Sequence, residues 1–334
     1  MSEKNKKKDK KQYKSFREIK TIYRPKGQVI FQVLEVGNNK YIIILLKKGD
    51  LEIYSIHLFR YKFSIPSNKI HSDKITRLNE LKSGLLVTTS EDCKINIIEI
   101  DYKKKIFKVI QVLSGHTDTV WMSLELSDEN LATCSSDMTI RIWCNDIETN
   151  KYEKYKTLHT GFDKVGEMLE TKNKILVTCS IFNAQYQIQF WDIELYELMG
   201  IVEDISTCGW RDIIQLTDDI ICVNGSGDDE GLQLISISLR KKVKHLKNFN
   251  KNDVKSLYKT KDGRVYIGSG LALSEDSNLS INYGNIGQFR FDKKANELIK
   301  ICEKTKCHTY PPKGFYELSN GDFLSISKEI IIWK

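Results

Sequence analysis

Apolar and polar positions along this chain alternate in short runs that turn formers interrupt. In "SLELSDENLATCSSDMTIRIW" (123–143), Leu124 and Leu126 alternate with polar neighbours, "SDEN" is a turn cluster, Leu131 to Cys134 form a second run, and Thr139 to Trp143 alternate again. Period-two runs bounded by Ser, Asp and Asn predict strand, turn, strand, and apolar residues at helical spacing are absent.

The pattern recurs. Copies read "VLEVGNNKYIIIL" (33–45), "LNELKSGLLVTTS" (78–90), "LELSDENLATCSS" (124–136), "MLETKNKILVTCS" (168–180), "IIQLTDDIICVNGS" (213–226), "LYKTKDGRVYIGS" (257–269) and "FYELSNGDFLSIS" (315–327), seven in all. With Leu124 marking the third copy, the equivalents are Leu34, Asn79, Leu169 and Ile214 at steps of 45 residues, then Tyr258 and Tyr316; only the last step, 58 residues, is irregular. A period of about 40–45 residues with several short strands per copy signals a repeat architecture of the propeller type.

In the third copy, "GHTDTV", "TCSSD" and "IRIW" bring the likeness to particular residues. The chain resembles the WD-repeat family over nearly its whole length, and the resemblance implies a buried tetrad of His116, Thr133, Asp137 and Trp143. In such a tetrad the Asp orients the imidazole, the imidazole meets the hydroxyl, and the hydroxyl receives the indole N–H, so that no buried polar atom is left unpaired. The second copy carries His71, Thr88 and Asp92 at the same spacings, with Ile98 in the Trp position. The fourth keeps Thr178 and Trp191 while His159 lies two residues off register, and the seventh keeps His308 and Trp333 and lacks the Asp. One tetrad is therefore expected complete and the others eroded.

The expected fold is all-β, a seven-bladed WD40-type β-propeller over residues 15–334, preceded by a basic disordered tail at 1–14. Fourth, outer strands are expected at 59–65, 105–113, 152–159, 195–202, 241–249 and 297–303, six for seven blades. The chain ends at "EIIIWK" with nothing left for the missing strand, so "FREIKTIYR" (16–24) is expected to supply it, the closure used throughout the family. Closing the last sheet removes two open edges with their unpaired backbone groups.

Composition narrows the function. The net charge is +8, but "MSEKNKKKDKKQYK" holds seven Lys against Glu3 and Asp9, about +5, leaving about +3 elsewhere. Lysines on the outer strands have a structural explanation, since charge on an exposed edge discourages strand addition. No run of eighteen apolar residues and no signal-peptide core occur, so a cytoplasmic chain without membrane insertion is expected. Eight cysteines without paired CxxC spacing fit that compartment. "CEKTKCH" (302–308) is not read as a metal site, because His308 has a tetrad role by register and no second ligand pair exists. "NGSGDDEG" (224–231) lacks the helix a phosphate loop needs and the spacing of a calcium loop, and is read as the turn between the second and third strands of blade five. No GxSxG or HExxH occurs. No catalysis, cofactor, metal or specific small molecule is expected, and "FRRG", the signature of phosphoinositide-binding propellers, is absent.

What remains is a binding face. WD-repeat proteins bind other proteins on the face formed by the fourth-to-first and second-to-third strand connections, and the residue five past the tetrad His points at the mouth of the central channel. Carried by register, these positions are Phe31, Thr76, Trp121, Gly166, Arg211, Lys255 and Lys313, with Lys74, Thr119, Lys164 and Asp253 two residues earlier. Aromatic and Arg anchors with surrounding cations suit a protein partner whose acidic or phosphorylated segment flanks an apolar residue. An extension at 270–284, "GLALSEDSNLSINYG", lies on the same face and is either a functional cover or slack. The expected function is a non-enzymatic interaction scaffold or a subunit of a larger assembly. The rival readings are nucleic-acid or anionic-surface binding through the Lys tail, and a substrate adaptor for a modifying enzyme.

Overall fold

The computed structural model describes residues 17–22, 28–146, 148–149, 151–161, 164–182, 185–205, 213–225, 231–247, 254–271 and 283–334. Among them lie seven four-stranded antiparallel sheets in the topology of an all-β, seven-bladed propeller. Blades one to five, at 30–65, 75–114, 120–159, 164–205 and 213–247, belong to one compact unit, Lys26–Phe249. Blades six (254–308) and seven (314–333 with Glu18–Ile22) belong to a second unit, Met1–Pro25 with Asn250–Lys334.

Each blade is a meander whose strands pair in chain order, the short turn signals of the sequence becoming hairpins. The repeat marks prove to be structural equivalents. Leu34, Asn79, Leu124, Leu169, Ile214, Tyr258 and Tyr316 all lie in first strands, opposite Ile43, Val87, Ala132, Val177, Cys222, Tyr266 and Leu324 of the second. Blade seven has only three strands of its own, and Glu18–Ile22 joins as the fourth, with Lys20, Thr21 and Ile22 opposite Ile332, Ile331 and Ile330. Arg17 and Lys334 extend the ladder by exchanging N–H···O bonds of 3.0 and 2.9 Å.

Second strands such as Leu86–Ser90 and Leu131–Ser135 are buried at every position. This is why they read as continuous apolar and hydroxyl runs rather than as a clean alternation: a sheet covered on both faces has no polar side. The core is accordingly laminated between neighbouring blades. One cluster joins Ile43, Leu45 and Ile53 of blade one to Leu78 and Leu86 of blade two. Others join blade two to three through Ile95, Ile97 and Trp143, three to four through Ile140, Leu176 and Trp191, and four to five through Phe190, Val223 and Ile235. In the second unit, Tyr266 and Ile286 of blade six pack on Phe315, Phe323 and Trp333 of blade seven. Full burial of each such side chain contributes about 1.5–3 kcal/mol. Fourth strands alternate between exposed and half-buried, as in Ile106–Ser114.

The extension of blade six is partly ladder. Its second and third strands run on to Leu271 and from Tyr283, pairing Gly270 with Gly284 and Leu271 with Tyr283. A Cβ on Gly270 would run into the Tyr283 carbonyl oxygen, so only glycine permits this approach. Residues 272–282, and the tail at 1–14, lie outside the described residues.

Candidate functional site

In blades two, three and seven the fourth-to-first and second-to-third connections are tied together by a buried His network. In blade three, His116 Nδ1–H donates to Asp137 Oδ2 at 2.8 Å, the Thr133 hydroxyl donates to His116 Nε2 at 2.9 Å, and Trp143 Nε1–H donates to Thr133 Oγ1 at 2.9 Å. The network fixes the neutral Nδ1–H tautomer. Burial lowers the His116 pKa below its ordinary 6.5, although Asp137 beside it pulls the other way. For Asp137 burial alone acts upward, and hydrogen bonds from His116 and Thr139 overcome it, holding the carboxyl far below the usual carboxylate range. Blade two repeats the triad, with His71 Nδ1 3.0 Å from Asp92 Oδ2 and Nε2 2.8 Å from Thr88 Oγ1. In blade four, among the described residues, the Trp191 to Thr178 bond of 3.1 Å remains, and His159 is exposed at the end of blade three opposite Thr139.

Blade seven corrects the sequence reading. It does not lack the acid: Glu329 stands in the Asp position and Ser325 in the Thr position. His308 Nδ1–H donates to Glu329 Oε1 at 3.1 Å, the Ser325 hydroxyl donates to His308 Nε2 at 2.6 Å, and Trp333 Nε1–H donates to Ser325 Oγ at 2.7 Å. The Thr309 amide and hydroxyl each donate to Glu329 at 2.8 Å. In all three blades the Trp sits across the ladder from the residue two before the hydroxyl, Leu131, Leu176 or Phe323. The spatial position is constant while the sequence spacing varies with hairpin length.

The first strands share a second device. Their pairing skips one residue between Ile30 and Gln32, Ile75 and Arg77, Val120 and Met122, Val165 and Glu167, and Val254 and Ser256. The bulged residues are Phe31, Thr76, Trp121, Gly166 and Lys255, five of the seven positions the family register assigned to the mouth; the described first strands of blades five and seven, Ile213–Gln215 and Gly314–Glu317, pair without a skip. A bulge leaves its residue unpaired and re-aims the side chain. Phe31, Thr76 and Trp121, from three successive blades, line one cavity of about 430 Å³ together with Lys47, Lys48 and Lys74. Lys47 and Lys48 occupy the tight second-to-third turn of blade one, closed by the Gly49 amide on the Leu46 carbonyl at 2.8 Å. Gly49 holds a φ of +95°, and a Cβ there would meet the Ile75 amide nitrogen at 2.8 Å, so glycine seats this turn against blade two. Both lysines are exposed and neither has an ion-pair partner among the described residues, whereas Lys74 pairs with Glu91 at 3.3 Å.

A family model for the WD domain, G-beta repeat, matches residues 107–144. Among solved structures, that of the RRP9 WD40 repeats is similar with a TM-score of 0.65 at 14% identity, over 95% of this chain and 97% of that one. The chain carries a match to the WD40 repeat in its third blade and has the β-propeller fold seen in WD40-repeat proteins. No curated protein sequence matches it.

Within the WD40 face, the anticipated residues have unequal surroundings. Trp121 does not stand free of the fold: it is half-buried against the cluster between blades three and four, and its Nε1–H donates to Ser136 Oγ at 2.7 Å. Thr76 is only 4% exposed, and its hydroxyl donates to the Val120 carbonyl, fastening blade two to blade three. Thr119 is half-buried, and its carbonyl accepts the Ser136 amide at 3.0 Å. Lys164 is exposed at the start of blade four, Lys255 is half-buried, and Lys313 is exposed with its amide on the Ile326 carbonyl at 2.7 Å. Arg211 and Asp253 lie outside the described residues. The sequence reading missed Lys47 and Lys48, although "LKKGD" in a second-to-third connection carried the signal. It also missed an ion pair of 2.5 Å between Arg77 and Glu167, the residues that follow two of the bulges. Among the described residues no group of three His, Cys, Asp or Glu is arranged to hold a metal, and no helix is long and apolar enough to cross a membrane.

Proposed function

We propose that this WD40 propeller is a non-enzymatic protein-interaction platform that takes a partner segment at the cavity of blades one to three. WD40 propellers generally bind protein partners. The observation that carries the reading is the convergence of Phe31 and Trp121 on one cavity rimmed by Lys47 and Lys48, which have no ion-pair partner among the described residues. Aromatic walls remove an apolar side chain from water, and the two ammonium groups attract carboxylate or phosphate on either side of it. The complementary segment is extended and acidic, with a central apolar residue.

The test is affinity capture with the full chain, comparing wild type, Trp121→Ala, and Lys47→Glu with Lys48→Glu. The lysine pair makes no contact that the fold requires, so this variant separates binding from folding. The expected result is a set of proteins held by wild type and released by both variants. Retention of every captured protein by both would reject this face.

A further inference from the structure

Blades three and four carry a second depression, at the strand ends opposite the connections described above, with a volume of about 330 Å³. Asp128 and Asn130 come to it from the first-to-second turn of blade three, Tyr155 from that blade's fourth strand, and Lys174, Glu194 and Tyr196 from turns of blade four. Tyr155 is itself a bulged residue: Ile142 pairs with Lys156 and Trp143 with Lys154, leaving it unpaired between them and 62% exposed. Its ring meets Tyr196 edge to face at 5.7 Å and 66°.

Tyr196 is the fixed half of this pair. It is 7% exposed, its hydroxyl donates to Asp128 Oδ2 at 3.2 Å, and it accepts from Asn130 Nδ2 at 3.2 Å. Burial pushes its phenol up to about 12, so the proton that holds Asp128 stays in place. Lys156 lies 5.8 Å over the Tyr196 ring, so the pair already accepts one cation. No cation covers Tyr155 among the described residues. Glu194 is matched by Lys174 at 3.0 Å. Asp128, by contrast, receives only neutral donors, Tyr196 and the amide and side chain of Asn130, and has no ion-pair partner among the described residues.

An open aromatic face beside a carboxylate that no cation meets at ion-pair distance, Lys174 acting on it only while paired to Glu194, has a specific chemical complement. A guanidinium is planar, stacks on an aromatic ring and donates in its own plane to a carboxylate, whereas a phosphate would be repelled. We propose that this depression binds an arginine side chain of a partner protein, stacked on Tyr155 and hydrogen-bonded to Asp128. The propeller thus holds two sites of opposite preference, and this one does not depend on the acidic-segment site.

The test uses the full chain and a fluorescein-labelled Gly-Ser-Gly-Arg-Gly-Ser peptide, with a citrulline twin that keeps the shape and removes the charge. Fluorescence anisotropy at low salt is expected to show saturable binding of the arginine peptide and binding of the citrulline peptide at least about fivefold weaker. Asp128→Asn and Tyr155→Leu, both at exposed positions, should each weaken the arginine peptide about fivefold, with the melting temperature of Tyr155→Leu unchanged. Absence of saturable binding, equal affinity for the two peptides, or an unaffected Asp128→Asn variant would overturn the proposal.

Discussion

Glu329→Ala tests the reading of blade seven most directly. Glu329 is 4% exposed and accepts the His308 Nδ1–H, the Thr309 amide and the Thr309 hydroxyl. Thr309 is exposed and finds water when the carboxylate is removed, but the His308 ring is enclosed and its N–H is left without an acceptor. A buried donor stripped of its partner costs about 1–3 kcal/mol, and loss of the charge-assisted bonds adds to it, so the variant should lose about 2–4 kcal/mol. Equilibrium unfolding in urea, followed by tryptophan fluorescence, measures this in the right place because the Trp333 indole hydrogen-bonds Ser325 of the same tetrad. With a slope of roughly 3 kcal/mol per molar urea, the midpoint should fall by about 1 M. Glu329→Asp, which restores the family residue one methylene shorter, should lose less. Lys300→Ala, which removes only an exposed pair with Glu303, should stay within about 0.5 kcal/mol. If Glu329→Ala unfolds with this control, the carboxylate is not a working member of a tetrad.

Two further outcomes are expected. Deleting residues 1–24 removes the fourth strand of blade seven and should cost about 3–7 kcal/mol from its backbone hydrogen bonds, read as a large drop in melting temperature, while deleting 1–14 should leave the melt unchanged. Equal melts for both truncations and the intact chain would remove the role given to Glu18–Ile22. Stability should also fall on acidification in two stages. His71 and His116 have folded pKa values below their ordinary 6.5, so the unfolded chain binds protons first and stability declines as pH drops through that value. Asp92, Asp137 and Glu329 have depressed folded values, so their contribution is complete above about 4.5 and is lost as pH falls further through the folded values. Melting curves between pH 2 and 8 check this, and a melting temperature that rises from pH 7 to 5.5 would contradict it.

The repeat, its register and the closing strand were legible in the chain because they rest on local periodicity. A strand alternates with period two and a hairpin needs its turn formers, so Leu34 to Tyr316 could be aligned without coordinates, and the surplus strand at 16–24 followed from counting. The tetrad of blade three was legible only through the resemblance to the WD-repeat family, whose motif its residues match. Blade seven hid its acid because Glu329 replaces the expected residue type, and only the 3.1 Å approach to His308 shows that its longer side chain serves.

The sequence by itself determined which residues form each blade, because that follows from short-range pairing and turn chemistry, and the family resemblance marked which positions to expect at the connections. The tertiary structure alone decided what those positions do. Bulges turned Phe31, Thr76 and Trp121 toward one cavity, burial made Thr76 a fastening between blades, and the turn at Gly49 set Lys47 and Lys48 at the rim. Convergence of side chains 45 or 90 residues apart depends on how neighbouring sheets pack, and no local pattern in the chain encodes that distance.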